Sequence, residues 1–290
     1  PVTLLWARDD QAQPEVIATG LPNSGEFKWT TPIDMSNQGR LMITAVDKVL
    51  NSSTDQSNNI IVDGVPPHRS ILGPATSQSR EVALQVRVAD AGPARQVASV
   101  QLWHSIDGGA NWTPGPKVQE ATDSIAWTAP NDGEYQISLI AADVAGNMNS
   151  PPTSPEDALA GILIDSQEPI VRLATATGVQ EVNAPADGST RRVFKPGDQV
   201  EVRFSVDDMR LAPKPVSVHF QPEPDAPWQL LSEGLPADQA FTFGIPDINS
   251  NQCRVRVTVQ DAAGNVGAVL SQEPFIIDNK VEHVQVQVDL

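Results

Sequence analysis

Three aspartates stand four residues ahead of an asparagine: Asp47 before Asn51, Asp143 before Asn147, and Asp261 before Asn265. Three more, Asp63, Asp165 and Asp278, each close a short apolar run: Ile60-Ile61-Val62, Ile162-Leu163-Ile164 and Phe275-Ile276-Ile277. Carboxylates gathered from loops and linkers are calcium chemistry, because calcium takes six to eight oxygen ligands. Acids from a turn and from a linker could share an ion where two folded modules meet. A formal charge of −17 suits a bound cation. No D-x-D-x-D-G loop is present, so a second reading stays open. In it each Asp accepts backbone N–H groups across its own turn, while Gly146 and Gly264 supply positive φ.

The aromatic residues raise carbohydrate binding, since flat rings stack on sugars. Trp6, Trp29, Trp103 and Trp127 fall at recurring strand positions, where Phe220 and Phe243 also appear, and recurring apolar positions are core positions. Trp112 and Trp228 lie near hairpins and are the two candidate glycan platforms. Catalytic patterns are missing. The histidines His68, His104, His219 and His283 are scattered, with no H-E-x-x-H, no G-x-S-x-G elbow and no phosphate-cradling loop. The chain is therefore expected not to be an enzyme. Cys253, the single cysteine, can form no internal disulfide or cysteine metal cluster and reads as a buried or tolerated thiol. Asn51-Ser52-Ser53 and Asn111-Trp112-Thr113 fit the glycosylation sequon, which matters only in a host that modifies it.

Nineteen basic against 36 acidic residues, with no dense basic cluster, exclude a nucleic-acid or anionic-membrane partner as the main ligand. No apolar run approaches the roughly 20 residues of a membrane helix. No signal peptide is evident, and a chain that begins at Pro1 is expected to be processed or cut from something longer.

These residues must be positioned by strands. Val82, Leu84, Val86 and Val88 alternate, as do Val200, Val202, Phe204 and Val206, then Val255, Val257 and Val259. Alternation of this kind marks half-buried antiparallel strands. With 25 Pro and 19 Gly punctuating the chain, many short strands are favoured over helices. Only residues 155–161 suggest a turn of helix.

The strands recur in blocks. Pro1 aligns with Pro215, an offset of 214, and residues 1–47 then match 215–261 without a gap. Trp29-Thr30-Thr31-Pro32 matches Trp127-Thr128-Ala129-Pro130 in a third copy between them. The closing aspartates lie 102 and then 113 residues apart, the size of a seven-stranded sandwich. Proline-bearing linkers follow the first two, and proline stiffens them. The expected modules are residues 1–66, lacking the first strands, then 67–168 and 169–280. Residues 281–290 would be the first strand of a further module, or a strand exchanged with a neighbouring molecule.

The "ADVAGN" and "QDAAGN" turns at 142–147 and 260–265, the "D-x-x-x-P" linkers, and the "LWHSIDGGANW" and "W-T-x-P" segments resemble one family. They look like the immunoglobulin-like or fibronectin-III-like modules of large bacterial cell-surface proteins. That resemblance covers all three repeats and implies an extracellular or periplasmic spacer, adhesive or structural role. Residues 105–112 also fit the S-x-D-x-G-x-x-W "Asp box" of sialidase-like propellers, read here as a structural hairpin.

The expectation is thus an all-β chain of tandem immunoglobulin-like β-sandwiches. It would be a non-catalytic stalk of an extracellular, cell-surface or surface-layer or fibre protein. Its partners would be neighbouring modules or identical subunits, with calcium on Asp47, Asp63, Asp143, Asp165, Asp261 and Asp278. The alternative is an adhesin or cell-surface glycan-binding module using Trp112, Trp228 or the end loops.

Overall fold

A computed structural model of the chain describes residues 1–31, 36–93, 95–174 and 192–280. The expected strand at 281–290 lies outside the described residues. Two compact units result, one formed by Pro1–Ala75 with Ser79–Ile164, the other by Thr76–Gln78 with the chain from Asp165 onward. The regular elements of the described residues are all strands but one, and that one helical turn, Pro155–Asp157, falls where the sequence suggests it. No helix among them is long and apolar enough to cross a membrane.

The second module, in the first unit, is a complete sandwich. Its first sheet runs Thr113–Gln119, Val97–Ser105, Gly133–Asp143 and Ala160–Ile164, in that order and antiparallel. The second sheet runs Ser124–Thr128, Glu81–Ala89 and His68–Gly73. Val82, Leu84 and Val86 face Val100, Leu102, Ile137 and Leu139 across a continuous core, which is why the sequence alternates there. Tyr135 anchors one corner: its hydroxyl donates to the Asn131 carbonyl at 2.9 Å and accepts from the Asn131 amide at 3.2 Å. That is the tyrosine-corner geometry of immunoglobulin-type sandwiches.

The second unit repeats this plan. Ile170–Ala174, Gln199–Asp207 and Phe241–Gly244 form one sheet. Leu211–Gln221, between Gln229–Leu235 and Ser250–Asp261, forms the heart of the other. Val200, Val202, Val216, Val218, Val255 and Val257 fill the space between them.

The first module shows one sheet only among the described residues. Glu15–Leu21, Val2–Ala7, Ser36–Val46 and Ser52–Gln56 lie side by side, with Ile60–Val62 also pairing on Ser36–Val46. Its buried apolar residues are Trp6, Ala7 and Val62, far fewer than in either sandwich.

Strand register corrects one equivalence. Trp6 pairs with Leu41, six residues before Asp47, and Phe220 pairs with Val255, six before Asp261. The residue paired with Ile137, six before Asp143, is His104 and not Trp103. Trp103 points to the other face and is only half-buried. The one-residue slip arises because a strand has period two, so Trp103 and His104 face opposite sides.

Each of these residues meets an aromatic partner from a neighbouring strand or loop: Trp6 with Trp29 at 5.3 Å, His104 with Trp127 at 5.2 Å, Phe220 with Phe243 at 6.2 Å. The residue eight before each turn aspartate varies to suit: Gly39, Tyr135 and the fully buried Cys253. At Gly39 a Cβ would fall inside the Trp6 ring, so the largest side chain is matched by none. Burial pushes the Cys253 thiol up from its ordinary range, making it inert packing.

Two outcomes follow. Gly39→Ala should destabilise the first unit by about 1–3 kcal/mol, and Trp6→Leu in the same chain should return part of that loss, read as a double-mutant cycle in urea. His104 is held below its ordinary value by burial. The unfolded chain therefore takes up a proton first as pH falls through about 6.5. Stability should be full above that value and decline below it, and His104→Phe should flatten this slope in pH-dependent melts.

Candidate functional site: acidic turns at the linker

Asp143 ends the strand Gly133–Asp143 and Asn147 lies one turn later. The Asp143 carboxylate accepts the Asn147 backbone N–H at 2.9 Å and its side-chain N–H at 2.8 Å. The return bond runs from the Asp143 N–H to the Asn147 carbonyl at 3.0 Å. An amide side chain has two N–H donors, and Nδ2 of Asn147 also donates to the backbone carbonyl of Asp63, at 2.9 Å. Asn149 repeats the act nearby, giving Nδ2 to the Pro67 carbonyl at 3.0 Å while its Oδ1 accepts from Ala141. The stretch expected to be a linker is thus gripped at both ends, at Asp63 and Pro67.

The second unit carries the same device. Asp261 accepts the N–H groups of Gly264 and Asn265 and the Asn265 side chain, and Asn265 Nδ2 donates to the Asp165 carbonyl at 2.8 Å. In place of Asn149 stands Gly267, where a Cβ would fall on the Pro169 carbonyl. One linker carbonyl is hydrogen-bonded; its counterpart is admitted by the absence of a side chain. In the first module Asn51 bonds Asp47 in the same way, at 2.9 Å, but reaches no linker carbonyl among the described residues.

Carboxylates converge at one place. Asp63, Asp90 and Asp143 each offer an oxygen within 4.8 Å of the others. Asp143 is buried, and Asp63 and Asp90 are half-buried. Oδ1 of Asp90 accepts the Gly92 N–H at 2.8 Å, whereas its Oδ2 is buried with no hydrogen-bond partner among the described residues. Gly92 packs so closely on the Asp63 carboxylate that a Cβ there would overlap it. Three acids this close repel, and a hard cation sharing their oxygens would offset the repulsion.

Of the expected metal residues, Asp63 and Asp143 come together, and Asp90 joins them unforeseen. Its sequence signal was faint: an acid just after the alternating strand Val82–Val88, matched by Asp208, whose Oδ1 accepts from Arg210 N–H at 2.6 Å. Asp47, Asp165, Asp261 and Asp278 belong to no such group among the described residues. Asp47 and Asp261 satisfy their own turns. The Asp165 carboxylate accepts from Gln167 N–H and that of Asp278 from Lys280 N–H.

The Asp box is a hairpin of the same design. Asp107 accepts from Ser105 Oγ–H and from the backbone and side-chain N–H groups of Asn111. The Asn111 side chain, then its backbone, lower Asp107 to about 2. Trp112 is half-buried, with its indole N–H donating to the Ser154 carbonyl at 3.3 Å. Trp228 is half-buried too, and the Arg256 guanidinium lies 4.6 Å over its ring. The Trp228 ring is thus covered by an arginine of its own chain, whereas Trp112 is tied through its N–H edge.

No family model and no curated protein matches this chain. Solved structures do resemble it. Three N-terminal domains of the bacteriophage RB49 highly immunogenic outer capsid protein give 12% identity and a TM-score of 0.40, over 97% of this chain and 89% of that one. The chicken CNTN1 FN1–FN3 domains give 12% and 0.37, over 93% and 91%. A 1.5-MDa bacterial ice-binding adhesin gives 12% and 0.32, over 96% and 87%. Likenesses of this degree say nothing of activity or partner.

Asn147→Ala should cost the first unit about 1–3 kcal/mol, since it leaves the Asp63 carbonyl and an Asp143 oxygen unpaired. Asn51→Ala, whose amide is exposed, should cost within about 0.5 kcal/mol. Urea denaturation of both variants checks the contrast.

Proposed function

We propose that this chain is a non-catalytic structural section of a large extracellular or surface-attached protein. In this reading sandwich modules are joined by linkers that the following module grips, and calcium at Asp63, Asp90 and Asp143 stiffens the first linker. The observation that carries the reading is the double hold of Asn147 and Asn149 on the Asp63 and Pro67 carbonyls. A free tether needs no such hold, whereas a load-bearing joint does, because each fixed carbonyl removes backbone freedom worth about 1–2 kcal/mol per residue. The unpartnered Asp90 oxygen beside two further carboxylates supports the calcium part. The partners of such a section are adjoining modules or identical subunits, and its place is the cell surface or periplasm.

Small-angle scattering and thermal melts, with calcium and then with excess chelator, test both parts. Calcium at about 100 times its dissociation constant should add about 2.7 kcal/mol of stability and narrow the range of interdomain distances. Asp90→Asn and Gly92→Ala should each abolish the response. A response that survives both changes contradicts the site, and a chain whose scattering shows a fully flexible linker contradicts the structural role.

A further inference from the structure

The second unit carries an uncompensated cationic face. Along Ser250–Asp261, Cys253, Val255, Val257 and Val259 point into the core, so Arg254, Arg256 and Thr258 point to the opposite side. Register places His219 directly opposite Arg256 and Gln221 opposite Arg254. Leu230 lies beyond His219, and Leu270 beyond Arg256. A row Leu230–His219–Arg256–Leu270 therefore crosses four strands, about 14 Å at the usual strand spacing. Both leucines are exposed, by 52% and 43%.

Neither guanidinium forms an ion pair among the described residues, unlike those of Arg40, Arg80 and Arg203. The Nε–H groups of Arg254 and Arg256, and Nδ1 of His219, are buried with no hydrogen-bond partner among the described residues. Half-buried, unpaired charge is costly, and a bound anion would relieve that cost. In a chain of net charge −17 such a face is out of keeping with the rest of the surface.

Arg256 is held ready. Gln221 gives its side-chain N–H groups to the carbonyls of Pro224 and Ala226, fixing the loop that leads to Trp228. Trp228 then stacks on the Arg256 guanidinium at 4.6 Å. Stacking occupies the flat face of a guanidinium and leaves its in-plane N–H edge for a carboxylate. One residue row away, Ser217 faces Thr258. They line a recess of about 580 Å³ together with Lys214, Glu233 and Gln260. That size lies within the range of small-ligand sites, and its walls offer hydroxyl, amide and ammonium groups together with the Glu233 carboxylate.

We infer that this sheet face binds an acidic saccharide, with a sugar carboxylate on Arg254 and Arg256 and a neighbouring ring in the Ser217–Thr258 recess. The two strands that carry His219, Arg254 and Arg256 are paired on both sides, so an added peptide strand finds no free edge beside them. A polar recess beside a carboxylate fork suits a hydroxyl-rich ring. Trp228 acts by orienting Arg256 rather than by stacking on sugar. This inference stands apart from the structural role proposed above.

The test is titration calorimetry of the full chain with polygalacturonate at low salt, with neutral dextran and polyglutamate as comparisons. Binding to polygalacturonate alone is expected. It should weaken at least tenfold in the Arg254→Gln/Arg256→Gln chain and fall in part in Trp228→Leu. Arg203→Gln, on the other sheet, should leave it unchanged. Melting curves confirm that each variant is folded. No binding by the unmodified chain, equal binding to polyglutamate, or an equal loss in Arg203→Gln would overturn the inference.

Discussion

An asparagine amide has two N–H groups and cannot be buried with one of them idle. In the Asp–x–x–x–Asn turns one condition of this kind organises both the turn and what precedes it. The carboxylate four residues earlier takes one donor of Asn147 or Asn265, and the backbone carbonyl of Asp63 or Asp165 takes another contact from the same nitrogen. One amide thus ties each of these two turns to the stretch of chain that enters its sandwich. Asp90 differs, for it keeps a buried carboxylate oxygen with no hydrogen-bond partner among the described residues.

The sandwich interiors obey a second constraint, close packing maintained across changing residues. Trp6 is met by Gly39, His104 by Tyr135 and the Trp127 ring, and Phe220 shares its core with Cys253. Close packing forces such trades, because a core tolerates neither a void nor an overlap of even a methyl group.

Much of this was legible in the sequence. Alternation in Val82–Val88 and Val200–Val206 marks strands because burial on one face leaves a period of two, and the turn and linker motifs mark module ends because they punctuate that pattern. Trp103 misled because an aromatic at nearly the right place looks like its neighbour's equivalent, and only register separates residues one apart. Asp90 left only a faint signal because a carboxylate cluster is a property of three segments brought together, two of them 27 and 53 residues from it. Arg254, Arg256 and His219 escaped for the same reason, since a cationic patch across strands leaves no run of charge along the chain. The side-chain partners of Trp112 and Trp228 were likewise unreadable, as Ser154 and Arg256 lie far from them in sequence.

The central claim is that the Asn amides hold the linker carbonyls unaided by metal. Its most direct test is hydrogen exchange of the asparagine side-chain N–H groups in the calcium-free chain, followed by nuclear magnetic resonance. Asn147 and Asn265 should exchange slowly, with protection that follows the stability of their sandwich strands. Asn51, which has the turn but no described linker carbonyl, should exchange much faster. Equal, rapid exchange at all three would contradict the claim and leave the linkers as free tethers.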